Sequence, residues 1–168
     1  MRKMFRMKYE SCSGQCYAYS DVMRIHNLGL DVKGAVAFLK RLVAMHEPSC
    51  GNPNLEFRLD VDEFIRSEYT GIGFNYHDSH DQRFVASFYH YGSLDLFAGD
   101  TALEAMNKLI DGVLTYYQSA EYKDLVTKQP GKGHGVCHHG DDKKLIDFAI
   151  SFSGLNEGDQ AALRAEFV

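Results

Sequence analysis

Leu55-Glu56-Phe57-Arg58-Leu59-Asp60-Val61-Asp62 is the stretch whose reading decides the fold. Every second residue is apolar and each intervening one is charged, which is the two-residue period of a strand with one face on a core and the other toward water. Downstream, Ile72, Phe74 and Tyr76 alternate with Gly71, Gly73, Asn75 and His77. A polar tip over 78 to 82 and a β-prone run over 83 to 91 complete an expected hairpin. Gly92-Ser93 then breaks or bulges the run, leaving 94 to 97 as a further strand or its continuation.

Upstream, residues 3 to 10 alternate in the same way, with Phe5, Met7 and Tyr9 on one side and Arg6, Lys8 and Glu10 on the other. A tight turn over 11 to 15 and a short strand over 16 to 20, carrying Tyr17 and Tyr19 on a shared face, predict a first hairpin.

Helical periods lie between and after these strands. Asp31 offers an N-cap to a helix with Ala35, Leu39, Leu42 and His46 at helical spacing, joined by Val32, Val36, Phe38 and Val43, and Pro48 ends it. Thr101 with Glu104 forms a capping-box pattern ahead of Leu103, Met106, Ile110, Val113 and Tyr117, with helical character continuing over 121 to 126. Pro130 and glycines 131, 133 and 135 mark a mobile Gly/His-rich loop over 128 to 141. Asp141 or Asp142 then caps a helix stopped by Gly154, and Asn156 caps a short last one ending near Phe167.

This order lacks the regular strand-then-helix alternation of a doubly wound parallel sheet. The expectation is a single α+β domain over 1 to 168, with an antiparallel sheet of about four to six strands and helices packed mainly on one face. With 45% apolar and 24% charged residues, the 168-residue chain has enough apolar material for a core. A formal charge of -5 argues against a nucleic-acid partner bound by phosphate neutralisation. No apolar window is long enough to span a membrane, and the basic N-terminus alternates where a secretory signal needs a continuous apolar run, so a cytoplasmic location and reduced thiols are expected.

The densest chemistry is His134-Gly135-Val136-Cys137-His138-His139-Gly140-Asp141. Cys12 and Cys16, with three residues between them, could supply the other half of a tetrahedral zinc site completed by His134 and Cys137. Such a site would be structural, or less readily the centre of a small hydrolase. The halves are more than a hundred residues apart, and three adjacent ligands cannot all face one ion, so a solvated polar loop explains the cluster more simply. His77-Asp78-Ser79-His80-Asp81 reads as an exposed turn, and His90 as a satisfied, partly buried imidazole. No Walker spacing and no Gly-x-Ser-x-Gly elbow occurs, and no catalytic residue can be singled out.

Ten Tyr and eleven Phe with no Trp are more suggestive, because Tyr buries area while keeping a polar handle. The leading expectation is a protein-binding or inhibitor-type accessory protein that acts stoichiometrically through a Tyr-bearing sheet face or edge and acidic loops. Its partner would be a protein, with neither nucleic acid nor membrane involved. Zinc is the cofactor of the rival reading, and self-association through a sheet edge into a homo-oligomer is a third.

Overall fold

Antiparallel pairing organises the molecule. The computed structural model describes residues 3–8, 17–19, 24–46, 48, 52, 54–61, 84–128 and 139–167. In chain order these form β1 (Lys3–Lys8), β2 (Tyr17–Tyr19), α1 (Val32–His46), β3 (Leu55–Val61), β4 (Phe84–His90) and β5 (Ser93–Gly99). Four helices follow: α2 (Ala102–Tyr117), α3 (Ala120–Lys128), α4 (His139–Ser151) and α5 (Glu157–Ala165). The class is α+β. Every ladder is antiparallel, and the order across the sheet is β2-β1-β3-β4-β5.

β3 takes the alternation read from its sequence. Leu55, Phe57 and Leu59 are buried, and Phe57 and Leu59 pair with Phe88 and Ala86 of β4. The other face of β3 departs from expectation: Glu56 and Arg58 are half-buried, not water-facing. Beside Arg58 on that face, Ser87 is buried, and so is Val85. The reason lies in β4, whose consecutive Phe84, Val85 and Ala86 form the continuous apolar run of a strand covered on both sides.

Helix α2 lies across β3, β4 and β5. Thr101 caps it by accepting from the Glu104 N–H at 3.1 Å, while the Glu104 carboxylate accepts from the Asp100 N–H at 3.0 Å, one residue earlier than the usual reciprocal bond. Its buried stripe is Ala102, Ala105, Met106, Leu109, Ile110, Val113 and Tyr117, and Leu103 sits at its margin. Each of the large aliphatic side chains in this stripe contributes roughly 1.5–3 kcal/mol by leaving water.

Helix α1 begins as read, with the Gly34 N–H donating to Asp31 Oδ1 at 2.7 Å, and buries Ala35, Phe38, Leu39, Leu42, Met45 and His46. It packs on α2, α4 and α5, and Arg41 ties it to Asn107 and Asp111. A last-turn carbonyl, that of Met45, accepts from the Tyr117 hydroxyl at 2.7 Å, so one orphan group of the helix end is satisfied from α2.

Helix α4 starts at His139, earlier than the caps read at Asp141 or Asp142. Both aspartates fall in its first turn, where carboxylates favour the positive end of the helix dipole, and that is why they read as a start signal. Gly154, at φ 76°, makes the turn after α4, and Asn156 caps α5 by accepting from the Asp159 N–H at 2.8 Å.

Candidate binding surface

The feature with the clearest capacity to meet a partner is the β4–β5 hairpin. Tyr91 and Gly92 turn it with φ 45° and 88°, the double positive φ of a type I′ turn, which settles 93 to 99 as a strand of its own. A positive φ at a tyrosine costs about 1–2 kcal/mol. Two bonds hold it there: the Tyr91 N–H donates to the Asn54 carbonyl at 3.0 Å, and Asn52 Nδ2 donates to the Tyr91 hydroxyl at 3.1 Å.

That turn fixes the polarity of the edge. In a two-residue hairpin the flanking pair, His90 and Ser93, exchanges backbone hydrogen bonds, and alternate residues then point toward β4 or away from it. Asp95, Phe97 and Gly99 share the inward set. Leu94, Leu96 and Ala98 therefore turn their N–H and C=O groups outward, where β5 is the last strand of the sheet among the described residues. An independent contact agrees: Lys108 Nζ of α2 donates to the outward Ala98 carbonyl at 2.8 Å. The backbone groups of Leu94 and Leu96 have no partner among the described residues.

The side chains beside this edge are apolar. Tyr89 and Leu94 form a cross-strand pair and are 42% and 39% exposed. Leu96 and Ala98 continue the same face. The strand contains no Lys, Pro or bulge, the usual devices that blunt an edge; Lys108 guards only its C-terminal end.

The opposite face of the hairpin is packed. His90 is 7% exposed, its Nε2 lies 2.9 Å from Asp95 Oδ2, and its ring stacks on Phe88 at 4.6 Å and meets Tyr116 in a tilted contact at 4.3 Å. Tyr122 and Tyr117 extend this cluster across α2 and α3. Burial is the main cause that pushes the Tyr116 phenol up to about 12, with the Glu121 carboxylate adding to it. A buried imidazole packed against two aromatic rings and bonded through one nitrogen to a carboxylate offers little surface to a substrate, so the Asp95–His90 pair is cement between strand and helix. His90 is thus the satisfied, buried residue expected from its strand.

The four ligands read as a zinc set fall elsewhere. Cys12 and Cys16 belong to the connection between β1 and β2, and His134 and Cys137 to the connection between α3 and α4; all four lie outside the described residues, as do Cys50, the cluster 77 to 81 and the body of the expected 128 to 141 loop. Among the described residues no group of three or more His, Cys, Asp or Glu is arranged to hold a metal. None of their helices is long and apolar enough to cross a membrane.

Of the tyrosines with described side chains, only Tyr89 is exposed; Tyr91, Tyr116 and Tyr122 are half-buried and Tyr117 is buried. Among the described residues, most tyrosines therefore belong to the interior. The residues that sequence reading passed over are Leu96, which makes the edge, and Lys108, which closes its end. The aromatic-Gly pair at Tyr91-Gly92 was the signal that could have located the turn and, through it, the outward set. No family model, curated protein or solved structure matches this chain.

Proposed function

We propose that the protein is a stoichiometric protein-binding module that receives an extended segment of a partner along the outer edge of β5. The observation that carries the reading is the pair Leu94 and Leu96, whose backbone groups face outward and have no partner among the described residues, flanked by exposed Tyr89. Main-chain bonds to an added strand give affinity, and side chains on alternate positions give selectivity.

The same geometry disfavours a second copy as the occupant. Pairing two β5 strands with Leu94 against Leu96 sets one Asp95 directly opposite the other, a like-charge pair that destabilises a ladder. Pairing them about Leu96 needs the Ala98 carbonyl, which Lys108 already holds. A heterologous strand with a basic side chain in register with Asp95 meets neither obstacle, and it matches a chain of net charge -5.

The test is affinity capture from cell extract with the full chain, with Leu96→Pro, and with Leu94→Lys. Proline at 96 removes an N–H that β4 does not use, so the hairpin is kept while the edge is blocked. A defined complex is expected with the native chain, reduced at least about tenfold by each variant, in line with the loss of a central contact, at unchanged melting temperature. Capture that is absent, or equal for all three chains, contradicts the reading.

A further inference from the structure

Helices α4 and α5 flank a partly open cavity of about 390 Å³, a size suited to a small molecule. Lys143, Ile146, Asp147 and Ile150 line it from one face of α4, spaced as successive turns of a helix; Arg164 of α5 and Phe167 just beyond complete it. Ile150 is fully buried, and with Ile146 and Phe167 it makes an apolar floor.

The charges are arranged around that floor without neutralising one another. Arg164 donates to Ser151 Oγ at 2.8 Å and to Gln160 Oε1 at 3.4 Å, so its guanidinium is positioned by neutral oxygens and keeps its full charge. Lys143 and Asp147 make no hydrogen bond or ion pair among the described residues. Among the described lining residues, two cations and one carboxylate leave the cavity one unit positive in a chain of net charge -5. That balance matches a single negative charge; a dianion would be left with surplus charge facing Asp147.

We infer that this cavity binds an organic monoanion with a hydrocarbon body, its carboxylate between Arg164 and Lys143 and its tail along Ile146, Ile150 and Phe167. A guanidinium held in place matches a carboxylate through two parallel hydrogen bonds, and the aliphatic floor accepts a chain with no polar demand. The inference is independent of the β5 edge and stands or falls without it.

Titration of the full chain with octanoate, followed by amide chemical shifts, tests the assignment, with octan-1-ol and octylamine as length-matched controls. Saturable shifts centred on residues 143 to 167 are expected, with octanoate bound at least about tenfold tighter than either control, since a charge-assisted hydrogen bond is worth that much. Lys143→Gln and Arg164→Gln weaken octanoate and leave octan-1-ol unchanged, whereas Asp147→Asn tightens octanoate by removing repulsion. Should Arg164→Gln fail to fold, Lys143→Gln decides, because Lys143 has no structural partner among the described residues. Absence of saturation at millimolar octanoate, equal affinity for the alcohol, or indifference to Lys143→Gln overturns the inference.

Discussion

Tyr116 and Tyr117 are chemically identical neighbours whose hydroxyls meet opposite fates. Tyr117 donates to the Met45 carbonyl, whereas the Tyr116 hydroxyl is buried with no hydrogen-bond partner among the described residues. Removing the first oxygen strands a buried carbonyl at the end of α1; removing the second relieves a desolvated group. Tyr117→Phe is therefore expected to lower unfolding free energy by about 1–3 kcal/mol, and Tyr116→Phe to leave it unchanged or raise it by up to about 1 kcal/mol. Urea denaturation of the two variants measures both, and equal losses would refute the distinction. Glu104 gives the pH counterpart. The Asp100 N–H, and then the Lys108 ammonium, hold its carboxyl below the usual carboxylate range. A carboxyl lowered on folding adds stability above its unfolded pKa, and that stability is lost as pH falls through the lowered folded value. The melting temperature of Glu104→Gln should lie below the native value at neutral pH and converge with it as the pH falls through the lowered folded value and the native carboxyl is protonated too; a gap that persists in acid contradicts this account.

Elements were legible where a local signal sufficed. The caps at Asp31, Thr101 and Asn156 and the helices behind them follow from residues within one turn of each other, which is why sequence alone finds them. The start of α4 at His139 was not legible, because Gly140 and two aspartates imitate a boundary. The close join between β5 and α2 was not legible either. A Cβ on Gly99 would stand 2.7 Å from the Ala105 backbone nitrogen, a contact that only backbone movement can relieve. Gly99→Ala should cost about 1–3 kcal/mol as overpacking against an unyielding neighbour, measurable by thermal unfolding, and a neutral result would mean that the strand and helix are less tightly joined. The zinc proposal for Cys12, Cys16, His134 and Cys137 also belongs to this scale, as a tie between two inter-element connections. It predicts about one equivalent of metal in purified protein, the stoichiometry of a four-ligand site, and loss of metal together with stability in Cys12→Ala and Cys137→Ala. Metal-free protein with an unchanged melting temperature disposes of it.

At the scale of the whole molecule, the α+β class was readable because strand and helix periods differ in every segment that carries them. Strand order and the identity of the edge were not, since both depend on pairings between residues far apart in sequence. Leu94 and Leu96 look like core residues in the chain; only their place on the last strand turns them outward. Aromatic content alone does not separate surface from interior, because Tyr116, Tyr117 and Tyr122 gather beside His90 to join helices to sheet. Among the described residues, Tyr89 and Leu94 form an exposed apolar margin beside the outward backbone groups of Leu94 and Leu96. Residue-resolved hydrogen exchange of the free and partner-bound protein tests that margin most directly. The account predicts fast exchange at the Leu94 and Leu96 amides beside slow exchange at Asp95 and Phe97 in the free chain, with the fast pair becoming protected on complex formation. Slow exchange at Leu94 and Leu96 in the free protein, or no gain of protection in the complex, would contradict it.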